Sequence, residues 1–255
     1  MHSETVRFKG SSGEELAGRL DHPDGDVTGW AVFAHCFTCS KQSRASIRVS
    51  RRLAERGIGV LRFDFTGLGD SDGDFSETSF SSNVADLVAA ADWMKETSRA
   101  PGLMIGHSLG GAAAIVAASR MSSLKAVATI NAPGDASHVI DQFADDVNRI
   151  ETEGQAEVSL AGRPFTITKD FVEDVRGAAV EDAARALRLP LLILHAPGDN
   201  TVGIDNATTL FRAARHPKSF ISLDKSDHFL SNDGDTEFAA DMIATWAGRY
   251  MGKMP

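Results

Sequence analysis

Hydrophobic positions along this chain follow two different periods. Residues 5–10 (TVRFKG) and 15–22 (ELAGRLDH) alternate apolar and polar around a Ser-Ser-Gly turn. That alternation predicts an antiparallel hairpin at a sheet edge, one face covered and one wet. Residues 30–36 (WAVFAHC) and 58–65 (IGVLRFDF) are continuous apolar runs, the pattern of strands buried on both faces. Between them, residues 45–57 carry helical spacing and stop at Gly57, a C-terminal glycine signal. Residues 80–96 read as an amphipathic helix. Then come a strand at 102–107, an Ala-rich helix after Ser108 and a strand at 125–133. Strands at 189–199 and 218–227 and a helix at 236–251 close the chain. Strand and helix in alternation predict an α/β architecture: a mostly parallel sheet with helices on both faces and an antiparallel hairpin at the N-terminus.

The stretch 134–188 breaks that rhythm. It far exceeds the ~4–6 residues of a median connection and must have structure of its own. Residues 137–150 have helical spacing, 154–171 read as a hairpin around Ala161-Gly162-Arg163, and two short helical patterns follow. The expected organisation is therefore a single domain, with residues 1–133 and 189–255 as core and 134–188 inserted over the sheet as a small lid.

Composition narrows the function classes. The formal charge of −9 disfavours nucleic acid and anionic lipid as partners. No run reaches the ~18–20 apolar residues that span a bilayer, and MHSETVRFKGSSGEE is not a secretory signal, so a cytoplasmic location is expected. Only two cysteines occur, Cys36 and Cys39, so a disulfide scaffold is not expected. Their C-x-x-C spacing admits a thiol-redox reading, but a four-ligand zinc site lacks partners. The bland reading is two small residues packing as hydrophobes. No metal and no cofactor are expected.

Residues 106–110 (GHSLG) carry the chemistry. They match G-x-S-x-G directly after a buried strand and directly before a helix, the context of a nucleophile elbow. The sharp turn strains the central serine, and side chains at Gly106 and Gly110 would collide with neighbouring backbone. Alone, the pattern also fits a glycine-rich turn with a surface serine. Here an acid and a histidine follow in order: Asp199 ends one strand, and His228 follows the next. Either alone reads as an ordinary turn or loop residue. Together with Ser108 they read as nucleophile, base and orienting acid. Asp205, Asp224 and Asp227 are the competing acids.

GHSLGG, HAPGDNTV and the SDHFLS loop together resemble the α/β-hydrolase-fold serine hydrolases, over the length of the chain. HCFTCSK, LRFDFTGLGDSDGDF and FSSNVADLVAAADW resemble, more narrowly, bacterial carboxylesterases found alone or fused to an OsmC-like domain. The chain ends just after its last helix, so no OsmC-like domain is expected. The resemblance implies that the loop after residue 34 supplies an oxyanion donor. The backbone amides of Phe37 and Leu109 are then the expected pair, with Cys36 where the family usually has glycine. His35 is expected to orient that loop rather than act as a base. Thr66 stands where the family commonly has arginine. The expected function is carboxylester hydrolysis through an acyl-enzyme, on short-chain or aryl substrates, with Phe143, Phe165 and Phe171 of the insertion near the substrate. Amide hydrolysis or acyl transfer on the same three residues, and a non-catalytic or thiol-redox protein, are the alternatives. The partner is expected to be a small ester, with no nucleic acid and no membrane. Monomer and homodimer both remain open.

Overall fold

The structure is a computed structural model and describes residues 2–252. Among the described residues there are ten strands: β1 (His2–Lys9), β2 (Glu15–His22), β3 (Gly29–Ala34), β4 (Ile58–Phe63), β5 (Leu103–His107), β6 (Ala126–Ile130), β7 (Gln155–Leu160), β8 (Arg163–Thr168), β9 (Leu191–His195) and β10 (Lys218–Ser222). The helices are α1 (Arg44–Glu55), α2 (Phe80–Glu96), α3 (Leu109–Ala118), α4 (Val147–Glu153), α5 (Lys169–Gly177), α6 (Val180–Ala186), α7 (Asp205–Ala213) and α8 (Asp233–Met251). Eight strands form one sheet in the order β1-β2-β4-β3-β5-β6-β9-β10. β1 and β2 pair antiparallel, and β2 joins β4 antiparallel. From β4 to β10 every pairing is parallel. The fold is therefore the mostly parallel α/β sheet that the alternating pattern implied, with the N-terminal hairpin at one edge, as the resemblance to α/β-hydrolases also implied.

The continuous apolar runs are explained by burial on both faces. Ala31 and Phe33 of β3, with Leu103 and Ile105 of β5, pack on one side against Val49 and Leu53 of α1 and Ala239 and Ile243 of α8. Val32 and Ala34, with Met104, pack on the other side against Leu87 of α2 and Ile115 of α3. Alternate residues point to opposite faces, so both must be apolar. Local signals set the helix ends. Ser43 Oγ accepts the Ser46 N–H at 3.3 Å at the start of α1. Ser79 and Ser82 cap each other reciprocally at the start of α2. Gly57 adopts φ +86° just beyond α1, where the chain must turn left-handed.

The segment 134–188 folds as expected in outline but not in detail. Residues 137–150 do not form one helix. A 3₁₀ segment, Ala136–Asp146, carries non-helical φ/ψ at Phe143, and α4 follows. Val139 and Phe143 are both buried in the core, and the non-helical backbone at Phe143 (φ −140°, ψ 34°) is where the helical path breaks. β7 and β8 form a separate two-stranded sheet joined by Ala161 and Gly162, both at positive φ, so Arg163 already belongs to the strand. Val158, Leu160, Ile167, Phe171 and Val175 join the same apolar cluster as α2 and α3, so the insertion shares the core.

Candidate active site

Ser108 sits between β5 and α3 at φ 55°, ψ −130°, a conformation a non-glycine residue holds only under constraint. The constraint is close packing. A Cβ on Gly106 would run into the Gly110 carbonyl, and one on Gly110 would run into the carbonyl of His35. The two glycines thus let the start of α3 lie directly against the loop that follows β3. The serine is buried, with 5% of its surface exposed.

Asp199 follows β9, and His228 follows β10. The His228 Nδ1–H donates to Asp199 Oδ2 at 2.7 Å, and His228 Nε2 lies 3.1 Å from Ser108 Oγ. The second Asp199 oxygen accepts the N–H groups of Thr201 and Val202, each at 2.8 Å. Burial opposes ionisation of Asp199, but the His228 hydrogen bond and these amides outweigh it and hold its pKa below the usual carboxylate range. The competing acids are elsewhere. Asp227 Oδ1 accepts from the Ser231 N–H at 2.9 Å, and Asp205 opens α7.

The loop after β3 is a four-residue turn. Cys39 N–H donates to the Cys36 carbonyl at 3.1 Å, with Phe37 and Thr38 between. Such a turn leaves the amide of its second residue, Phe37, unused. Leu109 opens α3, and a helix leaves its first amides without internal acceptors. His35 bonds to the loop at both ring nitrogens: its Nδ1–H donates to the Cys36 carbonyl at 2.8 Å, and its Nε2 accepts the Phe65 N–H at 3.4 Å. Burial lowers its pKa, consistent with a neutral ring bonded at both nitrogens.

One expectation is overturned here. Cys36 and Cys39 are not two independent apolar residues; they form a disulfide with a Cα–Cα distance of 5.3 Å. A three-residue separation across a tight turn brings the two Cα atoms into disulfide range. No scaffold is needed for that, only the turn. Phe143, Phe165 and Phe171 of the insertion pack onto the core. A cavity of about 10 Å³ beside the turn is lined by residues of the core, among them Phe37, Phe65, Leu68, Phe75 and Leu109. Phe171 stacks on Phe37 with ring centroids 5.4 Å apart, and Phe165 packs on Phe75 at 4.9 Å. They back the lining residues, while Phe143 is buried in the core.

Several residues around the site escaped the sequence reading. His107, the variable position of the G-x-S-x-G pattern, donates from Nε2 to the His228 carbonyl at 2.7 Å. Burial, reinforced by the neighbouring His228, pushes its pKa down to about 3, so it is neutral. Asn131, just past β6, donates to the same carbonyl at 3.0 Å and accepts the Ala196 N–H at 2.9 Å. Lys41 ends the loop after β3. Itself buried, it pairs with the buried Asp64 and with the exposed Asp70, and Arg62 holds its carbonyl at 2.6 Å. Thr66, where arginine is common, is held by the buried Asp86 at 2.8 Å. Among the described residues no three His, Cys, Asp or Glu side chains converge as ligands of a metal ion would.

Several known proteins are similar to this chain over most of its length. The esterase domain of a Rhodothermus marinus protein matches with a TM-score of 0.79 and 46% identity, over 99% of this chain and 100% of that one. Est1E from Butyrivibrio proteoclasticus, solved with ferulic acid bound, matches with a TM-score of 0.79 at 20% identity, over 97% of this chain and 100% of that one. The mitochondrial palmitoyl-protein thioesterase ABHD10 of Rattus norvegicus is 23% identical over 216 residues, which is 80% of this chain and 70% of that protein. A family model matches residues 31–241, a range that holds the parallel part of the sheet from within β3 to β10, the elbow and both following loops: the chain belongs to the alpha/beta hydrolase family.

Proposed function

We propose that this protein is a serine carboxylesterase acting on short-chain or aryl esters through an acyl-enzyme. The observation that carries the reading is the unbroken hydrogen-bonded series from Ser108 through His228 to Asp199, with the serine on a strained elbow. Ser108 Oγ attacks the acyl carbonyl carbon as His228 Nε2 takes its proton. Asp199 stabilises the resulting imidazolium through Nδ1–H. The negative carbonyl oxygen accepts from the Phe37 and Leu109 amides, at the positive end of α3. Collapse of the tetrahedral intermediate expels the alcohol, which takes the proton from Nε2. Water then enters by the same route, its proton passing to Nε2 and finally back to Ser108.

The size of the cavity supports a short acyl group. About 10 Å³ next to Phe37 and Leu109 holds roughly one water or a methyl group. The similarity to a 46%-identical esterase domain supports ester rather than amide substrates. The same reading has a small-molecule ester as the partner and a cytoplasmic location. The Cys36–Cys39 disulfide weighs against that location, because cytosolic thiol pools keep most cysteines reduced. Fractionation of the native host tests it directly.

A fluorophosphonate probe is expected to label the protein stoichiometrically at Ser108 and to leave Ser108→Ala unlabelled. Turnover of p-nitrophenyl esters is expected to fall from acetate through butyrate to palmitate, and to drop at least about 10⁴-fold in Ser108→Ala. Fastest turnover on palmitate, or labelling that survives the substitution, would sink the reading.

A further inference from the structure

The turn that presents Phe37 is held from outside by the inserted hairpin. Thr38, its third residue, lies at φ 57°, which a β-branched side chain disfavours. Something must therefore keep the peptide between Thr38 and Cys39 from rotating. That peptide is engaged at both ends. Its N–H donates to the Cys36 carbonyl at 3.1 Å, and its carbonyl oxygen accepts from Arg163 Nη2. Arg163 is the first residue of β8, directly after the Ala161-Gly162 turn, and is 125 residues away in sequence. Its guanidinium carbon lies 5.1 Å from the centre of the Phe165 ring, which aims the fork toward the turn. The Cys36–Cys39 bond closes the same turn covalently.

On the esterase reading above, we propose that Arg163 is a positioning residue for the oxyanion hole. By fixing the Thr38 carbonyl it holds the Thr38–Cys39 peptide, and so aims the Phe37 N–H at the carbonyl oxygen of the ester. The inserted segment then does more than cover the site: it completes the turn on which transition-state charge is stabilised. Arg163 and the disulfide act on one turn, so each covers in part for loss of the other.

The test uses Arg163→Ala and Arg163→Lys, with wild-type enzyme and Ser108→Ala as references, on p-nitrophenyl acetate. Arg163→Ala is expected to lower kcat about tenfold, below the roughly 10²–10³ for outright loss of an oxyanion donor. KM should stay within about twofold, because the hole acts on the transition state rather than on the bound ester. Lysine, which also donates to a carbonyl, should restore most of the rate. End-point fluorophosphonate labelling must remain stoichiometric, which separates a misaimed turn from an unfolded site. A dithiol such as dithiothreitol reduces Cys36–Cys39 to two thiols and is itself oxidised to a cyclic disulfide. That treatment should slow Arg163→Ala by a larger factor than it slows the wild type. Unchanged kcat in Arg163→Ala, a rise in KM alone, or equal dithiol effects in the two proteins would overturn the proposal. Failure of the esterase reading is distinct: the wild type would then show no Ser108 labelling and no turnover lost in Ser108→Ala.

Discussion

Asn131 is the clearest single residue that links the two loops behind the nucleophile. It lies at φ 49°, which asparagine tolerates better than most side chains. Its amide nitrogen donates to the carbonyls of Asp227 and His228, and its oxygen accepts the Ala196 N–H. The loops of the acid and the base are thereby tied to the end of β6. Asn131→Asp keeps the acceptor for Ala196 but turns an oxygen toward two carbonyl oxygens. We expect kcat to fall about tenfold or more and the protein to lose about 1–3 kcal/mol, measured by ester turnover and urea unfolding. His107 shows why such residues go unread in sequence. It occupies the x of G-x-S-x-G, a position without a type requirement, and only the loop from β10 gives it a partner.

At the scale of elements, the join of β5 and α3 depends on backbone proximity. α3 is buried all round, and its Gly and Ala residues let it press against β3 and β5. Gly110 is one of its two tight points, packed on the His35 carbonyl at the root of the Phe37 turn. Gly110→Ala is expected to cost about 3 kcal/mol of stability by overpacking, and to slow Ser108 labelling because the start of α3 must move away from that turn. The two changes are read by urea unfolding and by labelling kinetics. The elements themselves were foretold by period: β1 and β2 by alternation, β3 to β6 by apolar runs, α1 and α2 by helical spacing. The failure at residues 137–150 is equally instructive. Helical spacing there was genuine, since Val139 and Phe143 at i and i+4 would share one face of a helix, yet the backbone leaves helical φ/ψ at Phe143.

At the scale of the molecule, three neutral histidines surround the site: His35, His107 and His195. Burial lowers the pKa of each. The unfolded chain takes up protons at these three residues as the pH falls through about 6.5, while in the folded chain they do so only at lower pH. For His107, stability is therefore lost progressively from about 6.5 down toward its folded value of about 3. The urea midpoint is expected to fall between pH 7 and pH 5. His107→Gln, which keeps a donor for the His228 carbonyl, should flatten that fall by about 2 kcal/mol at pH 5. Equal pH dependence in both proteins would contradict the burial argument. Among the described residues no helix is long and apolar enough to cross a membrane.

The sequence by itself determined the parallel sheet, the elbow at Ser108 and the order of the three residues that meet there. Each of these is written in local signals: period, glycine placement and strand ends. The disulfide within HCFTCSK, the support of His228 by His107 and Asn131, the Lys41–Asp64 pair and the contact from Arg163 to Thr38 were decided only by tertiary structure. Apart from the disulfide, whose two cysteines are close in sequence but needed a tight turn to meet, they join residues far apart along the chain. Their partners are backbone carbonyls or buried charges, which have no pattern of their own. A backbone carbonyl is the same at every position, so which one a side chain reaches depends on how the sheet, the loops and the insertion come together.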